Sequence, residues 1–150
     1  MWIVFAHVAI VFVGFALTVG TGIFLTQIIQ GGDVRSIRTA VNAAIPAQTT
    51  GGVLVLISAI IGFFAAINLG FDLHARWLSI SMVLVVILLL EGFGRRYPRL
   101  LRLAKAAKDS PEDQPSPELR ALLVDRFEGL GNAVSGIIWL SLLVMMIVKP

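Results

Sequence analysis

The sequence predicts an all-α fold, a four-transmembrane-helix bundle, from its composition and its hydropathy. Hydrophobic residues make up 57% of the 150 residues, charged residues make up 14%, and the mean hydropathy is +0.91. An α-helix needs about 20 apolar residues to cross a bilayer core roughly 30 Å thick. Four apolar runs predict membrane spans at about residues 2–29, 52–70, 76–93 and 130–148.

The first run predicts a transmembrane helix and not a cleaved signal peptide. No basic residue precedes it, and it is longer than the apolar region of a signal peptide. The Gly31-Gly32-Asp33 sequence that follows predicts a turn, and a mixed loop with Arg35, Arg38 and Pro46 is expected before the second span.

The second and third spans are expected to be antiparallel neighbours, because only a short segment around residues 71–75 connects them. Gly94 and Pro98 predict a polar break after the third span. The whole chain, 1–150, is interpreted as one membrane domain, with a linker at 95–128 on the cytoplasmic side.

A basic amphipathic stretch lies in this linker at residues 99–108. Leu100, Leu103, Ala104 and Ala107 share one face at helical spacing. The pattern predicts a short amphipathic interfacial helix lying on an anionic leaflet, and a solvated helix is the alternative. A proline-rich polar segment and a second short helix near residues 117–127 are expected before the last span.

The Lys and Arg positions predict the orientation of the bundle. Of the 12 basic residues, only Arg76 and Lys149 lie outside the loops that follow the first and third spans. Cytoplasmic loops carry the excess of Lys and Arg, so both termini are expected outside. Trp2 and Trp77 then lie at the same outer interface, and the bacterial inner (cytoplasmic) membrane is the expected location.

The composition excludes several function classes. The chain has no cysteine, which excludes disulfides, thiolate metal sites and covalent haem attachment through cysteine. Its basic residues flank membrane spans, so the net charge of +3 does not indicate a nucleic-acid partner. Met82, Met145 and Met146 are too scattered for the metal cluster that copper transport needs.

His7 is the main candidate for chemistry. An ionisable residue within a membrane span is a functional hypothesis by default. His7 shares a helical face with Gly14, Thr18 and Gly22, so it is expected to face the bundle. Two roles stay open for it: a ligand or redox role, and a structural hydrogen bond to a backbone carbonyl or to interfacial water.

Other polar positions have less specific interpretations. His74 lies on the same outer side and could join His7 as a haem b ligand, although His7 is expected to lie deeper. Glu91 and Arg95 are spaced for an i,i+4 ion pair. Ser58, Gly62 and Ala66 form a stripe typical of close helix packing.

Several segments resemble the HemJ- and CopD-like four-helix integral membrane superfamily, which includes an uncharacterised group of predicted integral membrane proteins. They are the opening around His7 (residues 3–8), residues 73–78 with the later Gly94-Arg95-Arg96, residues 126–128, and the ending at 146–150. For the HemJ branch the resemblance implies haem b, protoporphyrinogen oxidation and His7 as a metal ligand. Arg76 stands where that branch has a lysine, and a contact from Arg76 to a haem propionate is expected instead. Residues 24–29 replace the aromatic and basic motif that ends the first span in that branch.

Two functions are therefore expected. The first is an integral membrane haem b-binding redox protein, with His7, His74 and Arg76 as cofactor-binding residues. The alternative is a non-catalytic accessory subunit that packs against a larger membrane (respiratory or photosynthetic) complex. The expected partners are the lipid bilayer and a membrane protein complex or a second copy of the chain, with no nucleic acid.

Overall fold

The computed structural model describes residues 2–124 and 127–148, with the backbone alone at 127–129. All regular secondary structure in these residues is helical: α1 (Trp2–Gly31), α2 (Val34–Asn68), α3 (Arg76–Asp109), α4 (Pro117–Leu123) and α5 (Phe127–Val148). Helices α1, α2, α3 and α5 are long and apolar enough to cross a membrane. The predicted all-α fold with four candidate transmembrane helices is confirmed.

The turn between α1 and α2 has its own local chemistry. Gly32 adopts a left-handed conformation with φ of 73°, which glycine reaches without a Cβ clash and which ends α1. Asp33 then caps α2, because its carboxylate accepts a hydrogen bond from the backbone N–H of Ser36 at 2.8 Å. Hydrogen bonding from the Ser36 side chain and backbone lowers the pKa of Asp33.

Helix α2 begins well before the predicted second span. The expected loop around Arg35, Arg38 and Pro46 is wrong, because α2 runs through it. The physical reason is a stripe of apolar residues at helical spacing that is buried against other helices: Val34, Ile37, Val41 and Ala44.

The expected interfacial helix at residues 99–108 is also corrected. This stretch is helical, but it continues α3 through a π-helical segment at Leu90–Arg96. Its apolar face is covered by protein and not by lipid. We call the resulting cluster the basic-end core; it contains Val34, Ile37, Val41, Ala44, Leu100, Leu103, Ala106, Ala107 and Leu119.

A second core joins the four long helices within their apolar segments. Val11 of α1, Val55 of α2 and Leu88 of α3 meet one face of α5, which contributes Ile138, Trp139 and Leu142. The rings of Phe15 and Trp139 pack edge to face, with centroids 5.3 Å apart.

Helices α1 and α2 approach closely along small residues. A Cβ at Gly14 would lie 3.3 Å from Val55 Cγ2, and a Cβ at Gly51 would lie 2.8 Å from Thr18 Cγ2. The predicted inward face of α1 is therefore confirmed. A Cβ at Gly20 would have no heavy atom within 4 Å.

We expect Gly14→Leu to lower the free energy of unfolding in detergent by about 1–3 kcal/mol, because the added side chain overpacks the contact with α2. Gly20→Leu is the matched control on the same helix, and its effect is expected to stay within about 0.5 kcal/mol. Equal or reversed effects would show that the face of α1 assigned to α2 is wrong.

Candidate functional site

His7 lies between α1 and α2 and hydrogen-bonds to the α2 backbone. Its Nδ1 lies 2.7 Å from the carbonyl oxygen of Ser58. A carbonyl only accepts, so Nδ1 carries the hydrogen and donates it, and Nε2 takes no part in this bond. His7 therefore faces the bundle, as predicted.

Glycine at position 62 makes room for the His7 ring. A Cβ at Gly62 would lie 2.6 Å from His7 Cε1, closer than carbon atoms pack. The adjacent Ser58 is buried, and its hydroxyl donates to the carbonyl of Val55 at 2.8 Å. The stripe of Ser58, Gly62 and Ala66 thus serves close packing, and part of what it packs against is an imidazole.

The other two predicted cofactor residues are exposed, unlike His7, which is partly buried. The His74 side chain is 98% exposed, and its Nδ1 lies 3.5 Å from Asp72 Oδ1. Arg76 is exposed at the start of α3. No hydrogen bond, ion pair or ring contact joins either residue to His7.

A polar cluster around Glu91 joins α3 to α5. The predicted ion pair between Glu91 and Arg95 is present. The structure adds two partners, because Arg96 Nε lies 2.7 Å from Glu91 Oε2 and the Ser135 hydroxyl donates to the same oxygen at 3.0 Å. Arg96 also donates through Nη2 to the carbonyl of Gly131, at 3.4 Å.

The helix geometry explains why sequence analysis missed Arg96. In an α-helix the residue four positions on faces Glu91, whereas a π-helical turn closes on the fifth. The segment Leu90–Arg96 is π-helical, so both Arg95 and Arg96 reach one carboxylate. A glycine in α5 completes the fit, because a Cβ at Gly131 would lie 1.8 Å from Arg95 Nη2.

Two cavities lie near this cluster. The smaller, of about 50 Å³, is lined by Glu91, Arg96 and Ser135 among others. The larger, of about 200 Å³, we call the basic-end cavity; its polar lining residues are Thr26, Gln30, Gln48, Arg96, Arg99 and Asn132. His7, His74 and Arg76 line neither cavity.

Comparisons with protein-family models, with curated proteins and with solved structures found no match for this chain. The resemblance to HemJ- and CopD-like proteins therefore stays a hypothesis, and the geometry of the chain itself must support any function.

Proposed function

We propose that the protein is a non-catalytic accessory subunit that packs against a larger membrane complex. The supporting observation is an uncovered face of small residues on α1, on the side away from α2. We call it the outer α1 face; its residues recur every third or fourth position and are Ala6, Ala9, Val13, Ala16 and Gly20, and the exposed rings of Phe5 and Phe12 border it.

Small residues on a transmembrane helix suit a helix neighbour better than lipid. They let two backbones approach closely, so that packing and weak polar contacts hold the helices together. The exposed side of α5 has more large aliphatic residues, namely Ile137, Leu140, Val144 and Ile147, beside the small Ala133 and Gly136. Large aliphatic side chains of that kind fill the space between acyl chains, and we assign that face to lipid.

The polar groups inside the chain also suit a packing role. His7 hydrogen-bonds α1 to α2, and Glu91 ties α3 to α5. Each therefore stabilises the arrangement of helices that presents the outer α1 face. The partner we propose is a transmembrane helix of a respiratory or photosynthetic complex in the bacterial inner membrane.

We expect the protein to co-purify with this complex from membranes solubilised in a mild detergent, and Gly20→Leu to abolish the association. The added side chain would separate the two backbones. Gly136→Leu is the matched control, because a Cβ at Gly136 in α5 also meets open space. Native gel migration with mass spectrometry measures the outcome. A wild-type chain that migrates alone, or equal association by both variants, contradicts the proposal.

The proposed orientation places the loops after the first and third long helices in the cytoplasm. Single cysteines at Ser36, Asp72 and Ser116 would test it with an impermeant thiol reagent. We expect labelling from outside at Asp72 alone, because the Lys and Arg residues concentrate around the other two positions. Labelling of Ser36 and Ser116 with protection of Asp72 would reverse the topology.

Haem b binding at His7 is the second candidate, and one observation favours it. Histidine ligands commonly donate their other ring N–H to a carbonyl, which fixes the tautomer and the ring orientation. The His7 Nδ1–H does this with Ser58, so Nε2 is the nitrogen left for a metal. The fit is partial, because His7 lines neither of the cavities described above, and neither His74 nor Arg76 makes a contact with it. The candidate therefore rests on His7 alone.

For this candidate, protein purified after expression with ample haem is expected to show a Soret band. His7→Ala should remove most of it, since the axial nitrogen is lost, whereas His74→Ala is the control with a smaller effect. Visible absorption at matched protein concentration measures both. A colourless wild-type protein would exclude the haem candidate and leave the accessory-subunit proposal in place.

A further inference from the structure

The basic-end cavity, of about 200 Å³, has walls from all four long helices and from α4. Helix α1 contributes Thr26 and Gln30, α2 contributes Gln48, α3 contributes Arg96 and Arg99, and α5 contributes Asn132. About 10–15 Å³ is enough to hold one water molecule, so a cavity of about 200 Å³ admits a group of several heavy atoms.

The cavity contains hydrogen-bonding capacity that the described protein groups leave unused. Arg96 Nε is ion-paired with Glu91 without a well-aligned hydrogen bond, Nη2 donates to Gly131, and Nη1 donates to no acceptor among the described residues. Asn132 Oδ1 is buried and makes no hydrogen bond with the described residues. A buried polar atom without a partner is costly, so a bound polar group at this position would stabilise the site. Rotation of the Asn132 amide would present its NH₂ group to an anion.

The rest of the lining is apolar. Leu25 and Ile29 of α1, Leu100 and Leu103 of α3, and Leu122 and Leu123 of α4 complete the walls. The cavity thus combines two guanidinium groups with a leucine-rich surface, at the level where α3 passes from its apolar run to its basic one. A free inorganic ion would use only the polar part of such a site. A molecule with an anionic head and an apolar body would use both.

We propose that the basic-end cavity binds the phosphate group of an anionic phospholipid. Arg96 and Arg99 would donate to the phosphate oxygens, since guanidinium forks match the geometry of phosphate. The leucine side chains would contact the glycerol and the first acyl carbons. Arg99 also donates to the carbonyl of Leu122 at 3.0 Å, which holds α4 against the cavity.

Thermal unfolding of the full chain in detergent tests this proposal with three probes: phosphatidylglycerol, phosphatidylcholine and sodium phosphate. We expect a concentration-dependent rise in Tm with phosphatidylglycerol and a much smaller one with phosphatidylcholine, because the choline cation offsets the charge of the same phosphate group beside Arg96 and Arg99. Equal rises with phosphatidylglycerol and sodium phosphate, at equal phosphate concentration, would assign the site to a free oxyanion. Equal rises with the two lipids, or no rise with any probe, would overturn the proposal.

Variants locate the effect in the cavity. Arg99→Gln is expected to weaken phosphatidylglycerol binding about tenfold, the loss typical of a hydrogen bond to a charged group. Arg102→Gln is the matched control, because Arg102 is exposed on the same helix and does not line the cavity. Leu123→Trp adds volume at the cavity wall without removing charge, so it should also weaken phosphatidylglycerol binding. If Arg99→Gln does not fold, the binding measured with Leu123→Trp tests the cavity site. Equal losses in Arg99→Gln and Arg102→Gln, or undiminished binding in Leu123→Trp, would contradict a cavity site.

Discussion

The close approach of α1 and α2 is the contact on which the other features of the bundle depend. Gly14 and Gly51 remove the side chains that would hold the two backbones apart, and Gly62 does the same under the His7 ring. Helix α2 also has the largest buried share of the four candidate spans, 28%, because other helices pack on it as well as α1. The position of His7 and the exposure of the outer α1 face follow from this pairing.

Different forces stabilise the basic-end core and the apolar segments of the bundle. At 1.5 Å per residue, the 35 residues of α2 extend about 52 Å, which exceeds the roughly 30 Å hydrocarbon core. The basic-end core can therefore lie outside the hydrocarbon, where burial of leucine and valine from water stabilises it. Within the apolar segments, burial of side chains gives little stability, because lipid is as apolar as the side chains. Close packing and internal hydrogen bonds must hold these segments together. Arg38 joins α2 to the end of α3, since its guanidinium donates to the carbonyls of Ala107 and Ser110.

Hydropathy alone predicted the four candidate spans, because the cost of exposing backbone groups to lipid leaves few alternatives to a helix. The small residues at Gly14 and Thr18 likewise predicted the inward face of α1.

The helical start of α2 was missed because Pro46 and the polar residues around it indicate a loop, although Val34, Ile37 and Val41 already show helical spacing. The pairing of Glu91 with Arg96 depends on a π-helical turn, and the partner of His7 depends on the relative height of two helices. Neither is encoded in the spacing of residues within one segment.

The proposed partner helix, the haem candidate and the proposed lipid site involve different parts of α1. The outer α1 face, from Ala6 to Gly20, points away from α2, whereas His7 and Gly14 point toward it. The residues that line the basic-end cavity, Gly22 to Gln30, come after both along the helix. A partner helix on the outer face would leave the His7 ring and the cavity unobstructed. It would also bury the side of α1 that is now exposed, so α1 would lie between α2 and the larger complex. Bound lipid at the basic end would then stabilise α1 near its end, where α4 and the arginines of α3 already surround it.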